Sequence, residues 1–296
     1  MTVRPRALAT AALFVALAAS LSARQRPAID VSSVLQRAGD KVSEFFARAQ
    51  SIMCLEKVML QKLSSGYSAD GPARQVESEL RLSWEPSPDN PTPTEARTLR
   101  QVLRVNGSTP RKKDYDNCTT PEQNDSEEQP LSLLLPAQRE KYTFTYGGSD
   151  LVDRRNAIVI NFREIKKPTV GVSVQDDNED CLSFQIDGGM RGRIWIDAET
   201  HDVLRLDQSL SGLIEIPLPR KVTRRPGVNP SWTMERLDMS IRFRRVSFDD
   251  PTETLVLPVE SSKLEIIRGA ASGRLRTSTR YLSYRRFITG ARVVPQ

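Results

Sequence analysis

The chain has 296 residues and a formal charge of +6, with 38% hydrophobic and 27% charged residues, a balance that suits a folded domain with a large solvated surface rather than a disordered chain. A single histidine, together with the lack of HExxH and CxxC, rules out zinc centres built from two or three imidazoles or a CxxC pair, and no GxSxG marks a serine hydrolase. No catalytic residue, metal or cofactor is therefore expected.

In chain order, MTVRPR followed by ALATAALFVALAAS reads as a secretory signal peptide over residues 1–23. Cleavage fits after Ala23 or after Ser22, and an uncleaved anchor helix is the alternative. Loss of Arg4 and Arg6 lowers the charge from +6 to +4. The remainder holds no second apolar stretch long enough to cross a bilayer, so a single domain over 30–296 is expected in the periplasm or outside the cell. Three cysteines in an oxidising compartment suggest one disulfide. The polar settings DYDNCTTPEQ and DDNEDCLSF favour Cys118 with Cys181, whereas the apolar run around Cys54 suits a buried free thiol.

Asp30 to Gln50 places Val34, Leu35, Ala38, Val42, Phe45 and Phe46 at helical spacing, with Asp30 as N-cap and Gly39 on the opposite side. Ile52 to Leu63, Val76 to Trp84 and Arg97 to Val105 read as strands, separated by SSGYSADGPA and EPSPDNPTPTE. An acidic loop fills residues 110–130, and PLSLLLPAQREKY predicts a short inserted helix before strands at Tyr142 to Tyr146 and Ala157 to Phe162. The acidic run Asp176 to Asp180 reads as a solvated loop without EF-hand spacing.

GRIWIDAETHDVLRLD, residues 192–207, reads as a hairpin. Ile194, Ile196, Leu204 and Leu206 point one way and Arg193, Trp195, Arg205 and Asp207 the other, with His201 a solvated turn residue. Further on, Leu237, Met239, Ile241 and Phe243 alternate, and the apolar phase then slips to Val246 and Phe248, predicting a β-bulge at Arg244 and Arg245. Leu264, Ile266 and the run Leu275 to Tyr281 continue the alternation after turns at DDPTE and GAASG. The class is α+β and mainly antiparallel β: a curved, unclosed β-barrel with an N-terminal amphipathic helix and a short inserted helix. Two packed sheets are the competing arrangement.

The phrases GRIWIDAETHDVLRLD, YTFTYGGSDLVDRRNAIVINFRE and LRTSTRYLSYRRF resemble a group of secreted bacterial proteins of unassigned function. More distantly they resemble the periplasmic lipoprotein carriers and receptors of the LolA and LolB type. That resemblance implies a half-barrel whose concave side is covered by helices and holds acyl chains. Long polar insertions at 114–129 and 218–231 depart from it, and no stretch matches a carrier's docking surface for its transporter.

Within such a fold Leu80, Leu82, Ile194, Ile196, Leu204 and Leu206 lie on inward faces, where they either line an acyl-chain cavity or pack under the first helix. Residues 218–296 hold sixteen lysines and arginines against seven acids. Arg242 and Arg244 share the polar face of one strand, and Arg274, Arg276 and Arg280 that of another, a surface for anionic lipid or an acidic partner. Its alternative is a solvated face interleaved with Glu260 and Glu265. Two functions follow: a non-enzymatic periplasmic carrier of a lipid, lipoprotein or other hydrophobic ligand, or a cell-envelope interaction protein using the basic face. Nucleic acid is not an expected partner, because no aromatics are interleaved with the arginines.

Overall fold

The computed structural model describes residues 29–49, 51–83, 97–115, 129–175, 178–224, 229–270 and 273–286. The expected signal peptide, the EPSPDNPTPTE turn and Cys118 lie outside the described residues, and with Cys118 the proposed disulfide to Cys181. Cys54 is buried, as its apolar setting predicts.

Helix α1 (Val31–Arg48) starts at Asp30, whose Oδ1 accepts the Ser32 amide at 3.0 Å and so satisfies one of the helix's orphan donors. Val34, Leu35, Ala38, Val42, Phe45 and Phe46 form its buried stripe. Gly39 is not on the solvent side as the spacing suggested. It is buried as well, and a Cβ there would stand 2.6 Å from the Leu134 carbonyl oxygen. The glycine's propensity cost of about 1 kcal/mol is thus offset by a close backbone crossing with the inserted helical segment.

Strands β1 (Ile52–Lys62), β2 (Arg74–Ser83) and β3 (Arg97–Val105) lead into α2 (Lys112–Tyr115), a 3-10 segment at Gln129–Leu134 and α3 (Pro136–Arg139). The predicted short helix is therefore broken in two. Pro136 has no amide hydrogen and holds Leu135 extended (φ −67°, ψ 143°), which ends the first piece and starts the second. There follow β4 (Tyr142–Val152), β5 (Arg155–Glu164), β6 (Thr169–Gln175), β7 (Asn178–Asp187), β8 (Met190–Asp197), β9 (Val203–Leu210) and β10 (Ile214–Pro217). Helix α4 (Arg220–Thr223) precedes the long β11 (Ser231–Asp249), β12 (Thr252–Arg268) and β13 (Arg274–Arg286).

The main sheet is antiparallel, in the order β3-β2-β1-β13-β12-β11-β9-β8-β5-β4, with β10 also pairing β11. Its edges β3 and β4 are not joined, so the sheet is curved but unclosed, and helices cover one face, as the sequence pattern predicts. Strands β6 and β7 form a separate hairpin that packs its own cluster, including Val170, Val172, Phe184 and Ile186, against Trp232 and Met234. Reading the acidic run as a loop was thus incomplete, because Asn178, Glu179 and Asp180 already belong to β7.

The bulge predicted at Arg244 and Arg245 sits elsewhere. Arg242 pairs with Glu260 and Phe243 with Pro258, so the extra residue is Val259, on β12. Pro258 lacks a ladder donor, and a mid-sheet proline is accommodated where the register is already interrupted.

Candidate functional site

One row crosses the inner face of the sheet in register: Ile160, Ile194, Leu206 and Ile241, each 0% exposed. Leu80, Leu82 and Ile196 join the same core cluster, and α1 with Leu131, Leu133 and Leu134 of the inserted segment packs over it. Among the described residues no backbone hydrogen bond links α1 to a strand. Its C-terminal end is held by side chains instead. Arg286 donates to the Arg48 carbonyl at 2.7 Å and pairs with Glu253, which also pairs with Arg48 at 3.1 Å. Burial pushes the Glu253 carboxyl up, but Arg286 and Arg48 outweigh it and hold the group below the usual carboxylate range.

Leu204 leaves that face. Ile194 pairs with Leu206 but Ile196 pairs with Val203, so Leu204 is the extra residue of a bulge and Val203 takes the inward slot. Leu204 packs with Ala157, Val159 and Trp195 on the other side. Trp195, expected outside, is there but only 3% exposed, because Arg193 and Arg205 stack over its ring at 5.1 and 4.7 Å.

The turn between β8 and β9 is built by Asp197. Its Oδ1 accepts the Glu199 and Thr200 amides at 3.0 and 2.7 Å, and Arg155 pairs with Oδ2 at 2.8 Å. Burial pushes this carboxyl up, but the amide donors, Thr200 hydroxyl and Arg155 together hold it low. His201 is the left-handed residue of the turn (φ 63°), a conformation for which histidine is enriched among non-glycine residues. Its amide donates to the Asp197 carbonyl at 3.0 Å, and among the described residues its imidazole makes no hydrogen bond.

Two polar features escaped the sequence reading. Glu56 occupies an inward slot of β1 and is 2% exposed, with Arg100 of β3 donating to it from Nε at 2.9 Å and from Nη2 at 3.2 Å. The apolar alternation Ile52, Cys54, then Glu56, then Val58 carried that signal. The second feature is a cleft of about 370 Å3 on the outer face, around Arg163, Arg191 and Arg193 with Thr143, Thr145, Asn161 and Ser209. The spacing of Arg191, Arg193 and Trp195 marked that face.

The basic residues expected to meet an anionic surface are divided by the structure. Arg242 and Arg244 both pair with Asp153 in the turn between β4 and β5, Arg244 at 3.0 Å. Arg242 and Arg280 flank Glu260 in register, the interleaving that suits a solvated face. Arg274, Arg276 and Arg280 form no ion pair among the described residues. A second cleft, of about 450 Å3, is lined by Asp153, Arg154, Arg155, Arg244 and Arg245. It is largely neutralised: Arg155 pairs with Asp197 and Arg245 with Asp202 at 2.7 Å. In the first cleft Arg163 and Arg191 are direct cross-strand partners, and like charges opposite one another cost about 0.2–1 kcal/mol.

Tyr142, half-buried at the start of β4, packs edge-on to Phe162 with centroids 6.0 Å apart. Burial, helped by the negative Glu164 and Asp187, pushes its phenol up to about 12. An unfolded tyrosine ionises near ~10. The contribution is therefore whole below that pH and is lost as pH rises from there to about 12. Tyr142→Phe is expected to flatten this alkaline limb in a series of urea midpoints against pH, with the parent falling more steeply.

Among the described residues no helix is long and apolar enough to cross a membrane. No family model and no curated protein matches the sequence. Among solved structures, a domain assigned to outer membrane lipoprotein sorting from Vibrio parahaemolyticus aligns over 89% of this chain and 96% of its own, at 11% identity and a TM-score of 0.42. A DUF1329 family protein from Desulfovibrio piger aligns over 88% and 95%, at 11% identity and 0.43. A LolA superfamily protein from Nitrosomonas europaea aligns over 91% and 99%, at 10% identity and 0.31. The unclosed antiparallel sheet with its helical cover is the half-barrel architecture that the sequence pattern predicts.

Proposed function

We propose that this chain is a non-enzymatic periplasmic binding module that takes a hydrophobic ligand, a lipid chain or lipidated segment, between the inner face of its open sheet and its helical cover. One observation carries the reading: an apolar face over β5, β8, β9 and β11 is closed by helices that, among the described residues, share no backbone hydrogen bonds with it. Such a cover can lift without breaking strand pairing, and the apolar area it uncovers is what an acyl chain would cover in turn. Leu80, Leu82, Ile194, Ile196 and Leu206 are the proposed contacts. In the unliganded form α1 and the inserted segment fill the same space, which keeps the apolar face from water.

The test is uptake of a fluorescent fatty acid by the purified chain, paired with native mass spectrometry of protein extracted gently from its own envelope. Saturable uptake displaced by unlabelled fatty acid, or an adduct of lipid mass, is the expected result. Empty protein together with no uptake overturns the reading.

A further inference from the structure

We infer that the outer-face cleft between Arg163, Arg191 and Arg193 is a binding site for a phosphoryl group, carried by a soluble phosphate ester or by a phospholipid headgroup. The inference goes beyond the hydrophobic site, which lies on the opposite face of the same strands, and does not depend on it.

The argument starts from register. Thr143, Arg163, Arg191 and Ser209 are successive cross-strand neighbours on β4, β5, β8 and β9, and Thr145, Asn161 and Arg193 form the adjacent row. Paired positions in an antiparallel ladder share a face, so three guanidiniums, an amide and hydroxyls converge on one cleft of about 370 Å3. Arg163 and Arg191 face each other with no carboxylate paired to either among the described residues.

At several other positions on this face the chain supplies acids. Arg205 has Asp207 at 2.7 Å, Arg242 and Arg244 have Asp153, and Lys57 has Glu77 at 2.8 Å. Arg193 is partly served already, stacked on Trp195 with Asp150 nearby. The Arg163 and Arg191 pair is a local excess of positive charge, brought together by the register of β5 and β8. The guanidinium fork matches phosphate oxygens two at a time, and the Ser209 and Thr145 hydroxyls with the Asn161 amide add neutral donors around it. An anion bridging Arg163 and Arg191 turns their repulsion into two attractions.

The experiment titrates isotope-labelled full chain at low salt with glycerol phosphate, and separately measures flotation with phosphatidylglycerol and phosphatidylcholine vesicles. Expected is saturable binding, with amide shifts confined to the neighbourhood of Thr143, Asn161, Gly192 and Ser209. Arg163→Ser and Arg191→Ser each weaken it about tenfold or more, while Arg37→Ser, at an exposed arginine of α1, leaves it unchanged. Both arginine variants keep or raise the parent's melting temperature, since each removes one partner of the like-charge pair; Arg191→Gln serves if serine disturbs the strand. Saturation by glycerol phosphate identifies a soluble ester, and binding to phosphatidylglycerol vesicles alone identifies a headgroup. No saturation by either ligand, or an equal loss in Arg37→Ser, overturns the site.

Discussion

Replacing Arg100 with methionine is expected to destabilise the protein by about 3–5 kcal/mol. The cause is the partner left behind. Glu56 sits in the middle of β1, between Ser78 on β2 and Tyr281 on β13, and is 2% exposed. Its carboxylate is accommodated because the Arg100 guanidinium, itself with a side chain 9% exposed, donates to both oxygens. Ser78, directly beside it, is fully buried, and its hydroxyl makes no hydrogen bond among the described residues. The carboxylate therefore draws nothing from that hydroxyl, and its donors are those of Arg100. Glu56→Leu combined with Arg100→Met removes both charges, and much of the stability should return, because two desolvated ions are replaced by side chains that pack. Arg100 makes further contacts, so the double-mutant cycle rather than the single variant isolates the pair. Urea midpoints at constant slope read the result. A single variant as stable as the parent would show that water or another group reaches Glu56.

The same pair shows where the sequence is transparent and where it is not. Alternation announced β2, β8, β9 and β11, while β1 and β3 were legible as strand-forming runs between turn-rich pieces. Asp30 announced the start of α1 through the chemistry of its side chain. Glu56 obeys the alternation in position but not in polarity, and only the register that brings Arg100 opposite explains it. Leu204 and Val259 show a second limit. Each is an extra residue in a ladder, and a bulge is defined by two strands at once, so the apolar phase of one strand does not reveal which strand carries it. Gly39 fits neither helix propensity nor the stripe, and its reason lies ninety-five residues away at Leu134. The candidate sites follow the same rule: the identity of the basic residues is in the sequence, but their pairing with Asp153, Asp197 and Asp202 is a property of the assembled sheet.

The cover and the outer cleft meet in one stretch of chain. Strands β5, β8 and β9 present Ile160, Ile194 and Leu206 inward while presenting Arg163, Arg191 and Arg193 outward. Side chains alternate with a period of two, so a change in the separation of β8 and β9 is felt on both faces.

Gly192 sets that spacing, and Gly192→Ala is expected to destabilise the fold by about 1–3 kcal/mol or more. Gly192 pairs with Phe162 on one side and Gln208 on the other. A Cβ built on it would fall on the carbonyl oxygen of Asp207 and within 2.8 Å of Phe162 Cζ. The first obstacle is backbone, which cannot rotate away as a side chain does. Strand β9 would have to move out, stretching the ladder from Arg193–Asp207 to Arg191–Ser209 and disturbing the hold of Ser240 on Asp207, now 2.7 Å across to β11. Gly212 supplies the control. A Cβ there meets nothing within 4 Å, so Gly212→Ala removes only unfolded-state freedom and should be neutral or slightly stabilising. Melting temperatures of the two variants, measured beside the parent, should separate by several degrees in opposite directions. Similar behaviour of the two alanines would mean that β8 and β9 relax apart without cost, and the tight crossing at Asp207 would not be what holds this part of the sheet.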